Sequence, residues 1–154
     1  MIRLSRLTDY AVTLLTHMVS KEENVWAASD LAEKTGFPSP TVSKVLKQLT
    51  KSQITTATRG ASGGYRLSRP ASAISIASII EAMDGPIAIT DCAEGSVRNC
   101  NVEAVCSMSG HWDMVNQVIR RALEDVTLAE MATPHPRGQT HEGAQASQRA
   151  VVGG

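Results

Sequence analysis

Three cysteines stand close together in the second half of the chain, Cys92, Cys100 and Cys106, spaced C-x7-C-x5-C. Thiolates are soft donors, so three on one short segment can hold a soft metal, be oxidised, or stay free. Structural zinc usually draws ligands from pairs two to four residues apart, and no such pair occurs here, which disfavours a zinc ribbon. An iron–sulfur cluster needs about four ligands, preferably thiolates. With only three cysteines, a fourth ligand must be another residue type or come from another chain. Three free thiols are the plain alternative. A nucleophilic cysteine would need an activating base, and His111 is the one histidine near in sequence. No phosphate loop, zinc-protease helix or serine elbow is present, so the chain is not expected to be an enzyme.

A different chemistry sits earlier. Val42, Val45, Leu46 and Leu49 recur at helical spacing and predict one buried face. Thr41, Ser43, Lys44, Lys47, Gln48 and Lys51 then fall on the other face. Small polar and basic side chains on an exposed helix suit the base edges and phosphates of a DNA major groove. Ser39 is expected as the cap and Pro40 at the first helical position, where a missing N–H costs nothing. Thr41, Ser43 and Lys44, near the helix start, are placed for bases; Lys47 and Lys51 suit phosphates.

A β-hairpin is expected next, with strands at 54–58 and 65–67. Its tip is Arg59-Gly60-Ala61-Ser62-Gly63-Gly64. Arg59 can enter a minor groove, Ser62 is a further candidate contact, and Gly60, Gly63 and Gly64 permit close backbone approach to a sugar-phosphate chain. A merely solvated basic helix is the alternative, and the hairpin directly after it argues against that.

The elements that must hold these residues are legible by period. Leu7, Tyr10, Ala11, Leu14, Leu15 and Met18 form one apolar stripe over a helix at about 6–20. A second helix should run from Ser29, as cap, to Thr35, stopped by Gly36. Residues 75–83 predict another, with Ile76, Ile79, Ile80 and Met83 inward and Gly85-Pro86 as the stop. Residues 90–109 show no periodicity and should form a loop. In a long helix at about 110–126, Trp112, Val115, Ile119, Ala122 and Val126 step by 3, 4, 3, 4, the seam of a coiled coil. Thr127 and Glu130 predict a capping box. Residues 133–154 have little to bury and should be disordered.

The net charge of zero hides an asymmetry. Residues 1–70 carry ten Lys/Arg and five Asp/Glu; residues 71–154 carry five and ten. A basic half points to a polyanionic partner for that half. Aromatics are 3% of the chain, so the core must come from Ala, Val, Leu, Ile and Met. No apolar run reaches the roughly 18 residues that cross a membrane, and MIRLSRLTDY lacks signal-peptide features. A cytoplasmic protein with reduced thiols is expected.

Five separated segments, in order, resemble the Rrf2 family of bacterial winged-helix regulators, and within it the regulators of the SUF iron–sulfur assembly system. They are LSRLTDYAV at 4–12, RGASGGYRL at 59–67, ISIASIIEAMDGPIA at 74–88, the three-cysteine segment, and TLAEM at 127–131. The fold expected is mainly α with a small β-hairpin wing: a winged helix-turn-helix plus a long C-terminal dimerisation helix. The divisions expected are 1–70 for DNA, 71–109 for a connecting helix and the cysteine loop, 110–132 for dimerisation, and 133–154 as a tail. The resemblance implies a homodimer, double-stranded DNA with a palindromic operator, and a repressor of iron–sulfur assembly or iron homeostasis genes.

It also implies Cys92, Cys100 and Cys106 as ligands of an iron–sulfur cluster, [2Fe-2S] or [4Fe-4S]. Some members place a histidine three residues after the last cysteine, where this chain has Ser109. Others use an aspartate on the first helix of the partner subunit, a position matched by Asp9. His111 is a second candidate for the fourth ligand. The alternative is a regulator of the same fold switched by thiol oxidation, zinc or nitric oxide.

Overall fold

The structure is a computed structural model that describes residues 3–90, 106–108 and 110–134. Among these, the order is α1 (Arg6–Val19), α2 (Ala28–Thr35), α3 (Ser39–Lys51), β1 (Thr55–Thr58), β2 (Gly64–Leu67), a 3₁₀ turn (Ala71–Ala73), α4 (Ile76–Asp84), α5 (His111–Asp125) and α6 (Leu128–Ala132). This is a mainly helical fold with one two-stranded antiparallel hairpin, the winged-helix class expected. The expected tail from residue 135 onward lies outside the described residues.

Burial follows the apolar period. Ala11, Leu14, Leu15 and Met18 of α1 are buried, and so are Val42, Val45, Leu46 and Leu49 of α3. Ile76, Ile79 and Ile80 of α4 join the same cluster, with Met83 packed against it. α1 packs on α2, α3, α4, α6 and β2, so its stripe is the shared floor of the fold. The core therefore takes residues from both sides of residue 70. Ser5 caps α1 by accepting a hydrogen bond from the Thr8 amide at 3.1 Å.

The helix-turn-helix corner is fixed by three contacts. Gly36 ends α2 with φ +72°, a left-handed conformation that favours glycine. Phe37 then stacks on Tyr10 of α1, with ring centres 4.1 Å apart. The Pro38 carbonyl accepts the amides of Thr41 and Val42 at 2.9 and 3.0 Å.

That last contact corrects the expected cap. Pro38 occupies the cap position, Ser39 is the first residue of α3 and Pro40 the second, because the Pro38 carbonyl already starts the helical ladder. Ser29 likewise lies inside α2, whose cap position is Ala27. Two residues past α3, Gln53 takes a left-handed conformation, φ 58°. Its carbonyl is held by the Ser68 hydroxyl at 2.6 Å and by Arg69 at 3.2 Å, which offsets the strain.

The hairpin pairs Thr55 with Leu67 and Thr58 with Gly64. It has a third edge. Trp26 exchanges two backbone hydrogen bonds with Tyr65, at 2.7 and 2.8 Å, and so ties the α1–α2 connection to the wing. At the other end, Ser75 and Thr127 form an antiparallel bridge, and the Leu128 amide donates to the Ile74 carbonyl at 2.8 Å. The Thr127–Glu130 capping box is present, and Leu128 is fully buried. Among the described residues no helix is long and apolar enough to cross a membrane.

The close approach of Trp26 dictates Gly64. A Cβ built on Gly64 would lie 2.4 Å from the Trp26 carbonyl oxygen. Gly64→Ala should therefore cost about 1–3 kcal/mol by overpacking. Urea denaturation measures it, and an unchanged midpoint would contradict the packing.

Candidate functional site

α3 turns its two faces to two different tasks. The Val42, Val45, Leu46 and Leu49 side is wholly buried. The opposite side is an open groove lined by Pro40, Ser43, Lys44, Lys47, Gln48 and Lys51. Lys44, Lys47, Lys51 and Ser39 are exposed, while Thr41 and Ser43 are half-buried. Gln48 departs from the expected pattern. Its side-chain amide donates to the Ala82 carbonyl at 3.0 Å, so it braces α3 against α4.

The wing extends from the end of α3 through Ile54, whose amide donates to the Leu49 carbonyl at 2.9 Å. Arg59, Gly60 and Ser62 are exposed at its tip. Gly63 and Gly64 are half-buried, and their missing Cβ atoms are required inside the hairpin itself: at Gly63 one would lie 2.3 Å from the Thr58 carbonyl oxygen. Arg66, which the periodicity did not single out, is exposed on β2 and donates to the Thr56 hydroxyl at 3.3 Å. Its only sequence signal was its place one residue after an aromatic in a β-rich run.

Of the three cysteines, Cys92 and Cys100 lie outside the described residues, as does Ser109. Cys106 is a free thiol, half-buried, directly before the turn residues 107–108 and five positions before the start of α5. His111, the first residue of α5, is exposed. Asp9 is exposed on the first turn of α1. Among the described residues, no three of His, Cys, Asp and Glu converge on one point.

Asp9 sits in a hollow shared with Arg3, Leu4, Ser5, Arg6 and Asp84. Asp84, at the end of α4, accepts the Ser5 backbone amide at 3.1 Å and so pins the start of α1. Burial pushes the Asp84 carboxyl up, but hydrogen bonds from the Ser5 hydroxyl, the Ser5 amide and Thr8 outweigh it and hold it below its ordinary value.

α5 lies on α4 through one side only. Asn116 is buried, Leu123 and Ile119 are half-buried, and Arg120 reaches Glu81 at 3.4 Å. Trp112, Val115, Ala122 and Val126 of the expected seam are exposed. Ile119 instead lines a cleft of about 420 Å³ with Leu123, Ile80, Ile87 and Ile89. The exposed apolar face is wider than the seam, because Met114 and Val118 add to it at 69% and 63% exposure.

The Asp84 contact has a pH signature. Its folded pKa is lowered, so its contribution to stability is present above the unfolded pKa and lost as pH falls through the folded value. Below about pH 4 the wild type should lose stability more steeply than Asp84→Asn, which carries no titrating group there. Parallel acid-unfolding slopes in the two proteins would contradict the contact.

Comparison with known proteins agrees with this arrangement. The family model Rrf2, described as iron-dependent transcriptional regulator, matches residues 4–134. A helix-turn-helix-type transcriptional regulator of Mycobacterium tuberculosis (strain ATCC 25618 / H37Rv), Rv1287, is 29% identical over 85% of this chain and 81% of its own. Among solved structures, CymR (YrzC), the global cysteine regulator of B. subtilis, superposes with a TM-score of 0.67 at 21% identity, over 86% of this chain and 97% of its own. IscR of T. potens superposes with a TM-score of 0.62 at 23% identity, over 84% and 85%. The chain belongs to the Rrf2 family of transcriptional regulators.

Proposed function

We propose that the chain is a homodimeric repressor whose grip on palindromic double-stranded DNA is set by an iron–sulfur cluster on Cys92, Cys100 and Cys106. The observation that carries the DNA part is the α3 groove, where Lys44, Lys47 and Lys51 stand exposed beside the half-buried Ser43 on a helix whose other face is locked in the core. Thr41, Ser43 and Lys44 meet bases, and Lys47 and Lys51 meet phosphates. Arg59 and Ser62 at the wing tip, with Arg66 behind them, follow the backbone beside the groove. The exposed face of α5 supports a two-fold dimer, and two reading heads related by a two-fold axis require a palindrome.

The donor chemistry fits the cluster. Cys106 is a free, partly accessible thiol next to α5, and thiolates are the preferred ligands of iron–sulfur groups. Asp9 of the partner subunit is the favoured fourth ligand, since it stands exposed on α1 and open to a second chain; His111 is the other candidate. A cluster so held supplies a charge and a set of bonds that change with iron supply and oxidation. A carboxylate is a weak ligand beside thiolate, which suits exchange and sensing. Cys106 leads into α5 and Asp9 stands on α1, so ligation there constrains both the dimer helix and the reading head.

A second reading keeps the fold and replaces the cluster by thiol oxidation. The free Cys106 thiol and the likeness to CymR favour it. The two differ in colour, because only the first gives visible absorbance in protein purified without oxygen.

Two measurements test the proposal. Lys47→Ala should reduce the salt dependence of DNA affinity by about one in the slope of log K against log salt. An unchanged slope and affinity would remove Lys47 from the interface. Cys100→Ala should abolish both the visible absorbance and the difference in DNA affinity between iron-loaded and iron-free protein. Retention of both would remove Cys100 from the switch.

A further inference from the structure

Arg69 is one of the ten basic residues in the first 70, and by charge alone it belongs with the candidates for a phosphate. Its side chain is engaged elsewhere. It is half-buried, its Nε donates to the Ala73 carbonyl at 2.9 Å, and a terminal nitrogen donates to the Gln53 carbonyl at 3.2 Å. One guanidinium therefore joins three parts of the head: the exit from α3, the exit from β2, and the 3₁₀ turn before α4. The Ala73 end is firm ground, because Ala71 and Ile74 on either side of it are fully buried.

The Gln53 end needs holding. α3 closes with two backbone hydrogen bonds, from the Ile54 amide to the Leu49 carbonyl at 2.9 Å and from the Gln53 amide to the Thr50 carbonyl at 3.1 Å. This closure puts a left-handed residue where the chain leaves the helix, and glycine usually fills that place. Here it is Gln53, the one non-glycine residue with positive φ among the described residues. A strained backbone of this kind persists only where its surroundings over-determine it. Gln53 is also where the chain turns from the helix with the lysine groove into the wing, since β1 begins two residues later at Thr55. Its dihedral angles set the direction in which the wing leaves α3.

We infer that Arg69 is a positioning residue for DNA binding: by bridging the Gln53 and Ala73 carbonyls it fixes the angle between α3 and the wing, so that the α3 lysines and Arg59 meet one duplex together. The inference rests on the DNA reading of α3 and the wing for its consequence, and on the two hydrogen bonds for its geometry. The task calls for a planar fork with several donors. A lysine keeps the charge but offers a single ammonium on a flexible stem, and so cannot replace it.

The test uses the full-length protein and a DNA duplex selected by the wild type from a random-sequence pool. Solvent exchange of the Arg69 Nε proton, followed by NMR, reads the contact without DNA. It should be at least about tenfold slower than that of the exposed Arg59. Affinities are then compared well below the thermal midpoint of each variant, where loss of stability alone leaves binding unchanged. Arg59→Ala should weaken binding about tenfold in the wild type and no more than about twofold in the Arg69→Ala background, where the wing no longer reaches the duplex. Arg69→Lys should bind as weakly as Arg69→Ala, and it takes that variant's place in the cycle if Arg69→Ala fails to fold. An Arg69 proton that exchanges as fast as that of Arg59 overturns the geometry. Wild-type affinity in Arg69→Lys, or an equal effect of Arg59→Ala in both backgrounds, overturns the positioning role. Unchanged affinity in Arg59→Ala alone overturns the wing's part in DNA binding and this inference with it. A wild type that selects no duplex overturns the DNA reading itself, while the exchange rates still report on the contact.

Discussion

The burial of one face of α1 is the constraint on which the other elements depend. Ala11, Leu14 and Leu15 are fully enclosed, and α2, α3, α4, α6 and β2 all pack against this helix. With aromatics at 3% of the chain, enclosure has to come from many interlocked aliphatic side chains. Interiors of that kind are close-packed and transmit displacement instead of absorbing it. A force on the start of α1 is therefore felt at once by the helix that bears the lysine groove.

α1 is tied as well as packed. At its start, Asp84 holds the Ser5 amide, which links it to the end of α4. Through its body, Tyr10 stacks on Phe37 and fixes the turn before α3. α4 in turn carries the Ala82 carbonyl that receives Gln48 from α3, and the Glu81 carboxylate that meets Arg120 from α5. α4 is thus the common neighbour of the reading helix and the helix with the exposed apolar face. In the proposed switch, a change around Cys106 has a short mechanical route to α3: α5 to α4 by Arg120, then α4 to α3 by Gln48.

What was legible in the sequence is what local chemistry decides. Apolar period located α1, α3, α4 and α5, because burial selects one face and repeats it. The Thr127–Glu130 box was readable since both partners lie within one turn. Caps at Ser29 and Ser39 were misplaced because the preceding backbone, at Ala27 and Pro38, had already started each helix. The Trp26 edge of the wing was not readable, since its partner Tyr65 lies far along the chain. The brace from Gln48 to Ala82 was unreadable for the same reason: its partner is 34 residues away. Asn116 broke no rule of a polar helix face, and only its partners 27 and 29 residues away reveal it as buried. Gly63 and Gly64 were expected to allow close approach of a sugar-phosphate chain, whereas the space a Cβ would need at both is taken from within the protein.

The central claim joins a cluster, a dimer and DNA in one molecule, and native mass spectrometry of protein purified without oxygen tests all three together. The expected spectrum shows two chains with the mass of bound iron and sulfide, and a shift in occupancy between the free dimer and the dimer on palindromic DNA. A monomer without iron or sulfide, equally populated with and without DNA, would contradict it.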